Sequence, residues 1–154
     1  MDILNAYLPS LFSVGVGVVV VGWKILFSNA KRIATRNETF SIIRDLTSNI
    51  DVIANDGCRL WYESRDIKKD WGMISPKLSV IRNDLEYLKS QRKVEVPLSC
   101  LIDLRRALSL HLDATENVDS IENKRKAISN IHEACQSFKY QVLKNFENCY
   151  PPSE

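Results

Sequence analysis

From Ile3 to Trp23 the chain reads ILNAYLPSLFSVGVGVVVVGW, without a single Asp, Glu, Lys or Arg. No other feature limits the fold so strongly. A bilayer core about 30 Å thick is crossed by about 20 apolar residues in a helix, and this run supplies them. Tyr7 and Trp23 stand near its two ends, where amphipathic rings settle at headgroup level. Lys24 is the first charge after the run; its stem can stay in the apolar layer while the ammonium reaches the interface. The pattern predicts one transmembrane helix within residues 1–28.

A secretory signal peptide is the competing reading, because Ser28-Asn29-Ala30 has the small-x-small form of a cleavage site. The apolar run is too long for a signal core, and Asp2 replaces the expected positive flank. A core helix that is apolar all round would need a larger protein to surround it. The anchor reading is therefore preferred. Lys24, Lys31, Arg32 and Arg36 crowd the C-terminal flank, with no Lys or Arg before the run. The positive-inside rule then places the N-terminus outside, and everything after residue 28 on the cytoplasmic side of the cell's inner membrane. Tyr7, Trp23, Lys24, Lys31, Arg32 and Arg36 are the expected membrane-interface residues, and the bilayer is the first expected partner.

Residues 29–150 are long enough for one domain with a core of its own, and 151–154 form a tail. Net charge is +2 and the basic residues are interleaved with acids, as in Arg65-Asp66-Ile67-Lys68-Lys69-Asp70. That gives little attraction toward nucleic acid, which is not an expected partner. The four cysteines, Cys58, Cys100, Cys135 and Cys149, form no CxxC pair. In the cytoplasm they act as small apolar side chains; with the opposite orientation they could pair as disulfides.

Apolar residues recur at helical spacing through the whole domain, and no segment alternates at period two. The chain has no Gly or Pro between Gly22 and Gly57, so the membrane helix is expected to run on unbroken past residue 39. The stripe Ile33, Phe40, Ile43, Leu46, Ile50, Ile53, Leu60 and Trp61 carries a helix to about Asp66, with Asn55-Asp56-Gly57 as its weak point. Asp70 to Pro76 reads as a connection, with Ser75 as cap and Pro76 as first helical residue. The next helix carries Leu78, Ile81, Leu85 and Leu88. After Pro97 another carries Leu98, Leu101, Ile102, Leu104, Leu108 and Leu112, with the widest apolar face and the most central expected place. Asp119-Ser120-Ile121-Glu122 resembles a capping box. It opens a long helix on Ile121, Ile128, Ile131, Cys135, Phe138, Val142, Phe146 and Cys149, ended by Pro151-Pro152. The fold class is all-α: one N-terminal transmembrane helix and a cytoplasmic antiparallel bundle of about four helices. A rival arrangement pairs the two long helices as a coiled-coil rod.

Chemical signatures are sparse. The chain has no P-loop, dinucleotide glycine pattern, HExxH or GxSxG. No cofactor and no metal is expected. His132 and Cys135 sit one helical turn apart, but no second pair completes a zinc site. Arg106 and His111, with four residues between them, resemble the R-x4-6-H signature of HEPN-type ribonucleases. That resemblance implies a helical dimer in which Arg106 steadies phosphate charge and His111 moves protons. Here Ala107 stands where that signature often has a polar residue. Trp61, Tyr62 and Trp71 are the candidate partner-binding residues, since Trp and Tyr are favoured at binding hot spots.

These features describe a membrane-anchored helical interaction or scaffold module, not an enzyme, that binds a protein partner or a second copy of itself at the inner face of the membrane. Two alternatives are a membrane-disrupting effector with a helical sensor domain, and the HEPN-like ribonuclease.

Overall fold

The computed structural model describes residues 2–63, 67–109 and 121–152, with the side chains of 16–62, 71–109 and 121–152. Every regular element among them is a helix: α1 (Asp2–Glu63), α2 (Ile67–Arg92), α3 (Leu98–Ser109) and α4 (Ile121–Cys149). The chain divides into two units, Met1–Glu38 and Thr39–Glu154. The first holds the start of α1. The second holds the rest of α1 with α2, α3 and α4.

In the first unit α1 is helical throughout, and the helix continues without interruption through residues 28–39. A stretch free of Gly and Pro allows this. Its large apolar residues face outward. Val16, Val18 to Val21, Trp23 and Ile25 to Phe27 are between 52% and 72% exposed. Ile33, expected on the bundle stripe, is exposed as well. Among the described residues no helix is long and apolar enough to cross a membrane. The span expected within residues 1–28 is thus not found among them. From Val16 onward the apolar stretch soon meets Lys24, Lys31 and Arg32, and the side chains of residues 3–15, Tyr7 included, lie outside those described.

The second unit is a four-helix bundle. α1 and α4 run antiparallel, as three contacts in reversed order show. Phe40 meets Phe146 at 5.6 Å between ring centroids. Lys139 Nζ donates to Asp51 Oδ1 at 2.7 Å. Cys58 Sγ lies 3.7 Å from His132 Nε2. The α1 stripe of Ile43, Leu46, Ile50 and Ile53 is at most 1% exposed. Ile131, Phe138 and Val142 of α4 are fully buried, as their helical spacing predicts. Each such side chain contributes about 1.5–3 kcal/mol on burial.

Asn55-Asp56-Gly57 does not interrupt α1. A Cβ on Gly57 would collide with the Leu108 side chain of α3 and touch Ile131 of α4. The residue that looks like a helix weakness is where α1, α3 and α4 come close together.

The connection expected at Asp70 to Pro76 is helical instead, with Pro76 inside α2. Trp71, Ile74, Leu78, Ile81, Leu85 and Leu88 form one stripe at spacings of three and four. Ile74 is buried and Trp71 packs on the core, so burial of that turn holds the helix across Pro76 despite the lost hydrogen bond. α2 stops at Lys93, a non-glycine residue with φ of 59°, and Val94 N–H returns to the Leu88 carbonyl at 3.1 Å.

α4 ties down the turn that follows. Asn145 Nδ2 donates to Glu95 O at 2.7 Å, Cys149 Sγ to Lys93 O at 3.3 Å, and Tyr150 Oη to Arg92 O at 2.9 Å. Cys149 is therefore an exposed thiol on this turn and not a core residue. Val94 and Val96 point inward and are buried.

α3 is the shortest of these helices and not the central one. Leu104, Ala107 and Leu108 are buried, but Leu98 and Ile102 are 58% and 55% exposed. α3 packs chiefly on α4, so half of its apolar face is left toward α2 uncovered. Leu112 and Asp119, expected at the end of one helix and the cap of the next, lie outside the described residues.

Candidate functional site

The splay between α2 and α3 makes a concavity in the bundle. It is a groove of about 370 Å³ lined by Ser75, Leu78, Ser79, Arg82, Leu98, Leu101, Ile102 and Arg105. Its floor is Leu78 and Leu101, and its α3 wall is the exposed pair Leu98 and Ile102. Arg82 Nε donates to Glu86 Oε1 at 3.1 Å. The groove is open on one side, whereas a cofactor is normally enclosed on most of its surface. Apolar walls with a charged rim suit a segment of another protein. A more open depression of about 350 Å³ lies between α3 and α4, lined by Asp103, Arg106 and Ala107 on one side and Asn130, Glu133 and Ala134 on the other.

The aromatic candidates do not form one surface. Trp61 is 3% exposed and belongs to the core, Tyr62 is exposed, and Trp71 is partly buried against the core. Arg106 is exposed, with Nη1 3.6 Å from Asp103 Oδ1 one turn before it. His111 lies outside the described residues. Trp23, Lys24, Lys31 and Arg32 are exposed on α1, Arg36 partly so.

His132 and Cys135 differ in their surroundings. His132 is exposed beside Cys58, while Cys135 is buried. Burial, joined by the nearby Asp51 carboxylate, pushes the Cys135 thiol up to about 12, against the opposing pull of Lys139. Burial also raises the Cys58 and Cys100 thiols. A thiol held protonated is a poor nucleophile and a poor metal ligand. Among the described residues, no group of three or more His, Cys, Asp or Glu side chains is placed to hold a metal ion.

The groove was not read from the sequence. Leu98 and Ile102 carry the apolar signal of a core face, yet both are exposed. Periodicity shows that a face is apolar, not what covers it. Comparison with known protein families, curated proteins and solved structures finds no match for the chain.

Proposed function

We propose that this protein is a membrane-anchored helical interaction module. α1 holds it in the bilayer, and the bundle binds another protein, or a second copy, at the inner face of the cell membrane. The observation that carries this reading is the contrast between helix and exposure in residues 16–27. Their large apolar side chains point outward all round the helix, and in the sequence the uncharged stretch extends back to Ile3. Water solvates such a surface poorly, whereas hydrocarbon accepts it, because every backbone group is satisfied within the helix. Lys24, Lys31 and Arg32 follow on one flank only, which supports a cytoplasmic bundle. For the bundle's own work, the α2–α3 groove is the surface it offers to a partner.

The test uses the full chain. It should stay with membranes through alkaline carbonate washing, and the double substitution Val18→Lys, Val20→Lys should release it. Each Lys near the centre of a span costs about 2.5–3.5 kcal/mol. A membrane-impermeant maleimide should label exposed Cys149 only after cells are permeabilised. Wild-type chain washed off by carbonate would end the anchor reading, and labelling of Cys149 in intact cells would reverse the orientation.

A further inference from the structure

The segment beyond the exposed apolar helix has an unusual charge balance. Between Asp2 and Glu38 the chain contains no acid, yet it contains Lys24, Lys31, Arg32 and Arg36. Lys24, Lys31 and Arg32 are exposed on α1, and no ion pair to them is formed among the described residues. Elsewhere cations such as Lys77, Lys89 and Lys139 have found carboxylates.

We propose that Lys24, Lys31 and Arg32 bind anionic phospholipid headgroups, so that the anchor selects its lipid surroundings as well as spanning them. The proposal rests on the anchor reading and adds to it. The axial register supports it. Counting back about 20 residues from Phe27, at about 1.5 Å each, starts the span at Leu8 and fills about 30 Å. With the hydrocarbon ending at Phe27, Lys31 and Arg32 lie roughly 6–7.5 Å further along the axis. That is the depth of the headgroup layer, roughly 5–7 Å on each side of the apolar core. Lys24 begins roughly 4.5 Å inside the edge and reaches the same layer by extending its stem.

The angular placement agrees. At about 100° per residue, Lys24 and Lys31 fall on the same side of the helix, and Arg32 lies about a quarter-turn beyond them. Cations spread over a convex helix make no pocket for a free phosphate or nucleotide. They suit several separate phosphates arrayed in a plane, which a leaflet provides. Arginine and lysine at this depth each favour anionic over zwitterionic surfaces by about fivefold.

The experiment reconstitutes full-length protein in nanodiscs of phosphatidylcholine with a minor share of phosphatidylglycerol. The lipids retained by the protein after extraction into mild detergent are then weighed by mass spectrometry. The expected result is several-fold enrichment of phosphatidylglycerol for wild type, weakened in high salt. The variant Lys31→Gln, Arg32→Gln, with both sites exposed, should lose most of that enrichment and approach the bulk ratio while entering discs equally well. A wild-type chain that enters discs but retains the two lipids in their bulk ratio overturns the proposal and leaves the anchor reading standing. Equal enrichment in wild type and variant also overturns it. A chain that does not enter the discs defeats the anchor reading itself.

Discussion

α1 contains two stretches with the same backbone and opposite side-chain logic. In residues 16–27 the large apolar side chains surround the helix and are more than half exposed; in residues 43–53 Ile43, Leu46, Ile50 and Ile53 form one stripe that is almost wholly buried, while Val52 lies off the stripe and is exposed. Backbone hydrogen bonding makes both helical and says nothing about their surroundings. The surroundings follow from the arc that the apolar residues cover. A narrow stripe is satisfied by neighbouring helices, while a full circle needs a solvent that is itself apolar.

The second stretch can be broken through its core. Among the described residues Phe138 is the largest fully buried side chain, and Phe138→Ala should cost about 3–5 kcal/mol of stability. Urea unfolding of the full chain in detergent checks this. If the two stretches differ as described, the same variant still withstands carbonate washing.

Gly57→Ala comes next, at about 1–3 kcal/mol, because the added methyl meets Leu108. Combined with Leu108→Ala, the two costs should be clearly less than additive in a double-mutant cycle. Full additivity would show that the helices do not meet there.

Lys93→Gly acts in the opposite direction. A lysine at φ of 59° is strained where glycine is not. The substitution should raise stability by up to about 1 kcal/mol, with part of the gain returned through the more flexible unfolded chain. A loss in thermal unfolding would show that the turn, held by Asn145, Cys149 and Tyr150, does not need the left-handed residue.

The smallest effect concerns Asp84. Partial burial, with Asp45 adding like charge, raises its pKa above the ordinary aspartate value. A raised folded-state pKa means that the folded chain holds this proton more tightly than the unfolded chain. Stability from this group is therefore greatest in acid and falls as pH rises through the aspartate range. Asp84→Asn should be slightly stabilising at neutral pH and neutral in effect below that range. Equal effects at both pH values would remove the electrostatic explanation.

Much of the bundle was legible in the sequence. Ile131, Cys135, Phe138 and Val142 recur at helical spacing and are the buried face of α4. Three features were not. Pro76 signals a helix start, yet the packing of Trp71 and Ile74 carries α2 through it. Gly57 reads as a flaw in a helix, because the close approach of Leu108 comes from a residue far away in the chain. Leu98 and Ile102 read as core, because periodicity cannot show that α3 leans toward α4 and away from α2. Each of these depends on tertiary neighbours. The α2–α3 groove, the surface proposed to receive a partner, depends on them entirely.

The most direct test is a nitroxide scan by electron paramagnetic resonance from Val16 to Ile53, on full-length chain in bilayers with its four cysteines replaced by alanine. Collision rates with oxygen and with a polar nickel chelate report lipid and water exposure at each site. The account predicts uniformly high oxygen access with no helical period over residues 16–27, then a rise of nickel access around Lys31 and Arg32. From Phe40 onward both probes should oscillate at the helical period of about 3.6 residues. Nickel access that is high and continuous from Val16 onward would contradict the account, placing that stretch in water and leaving its exposed valines without a solvent.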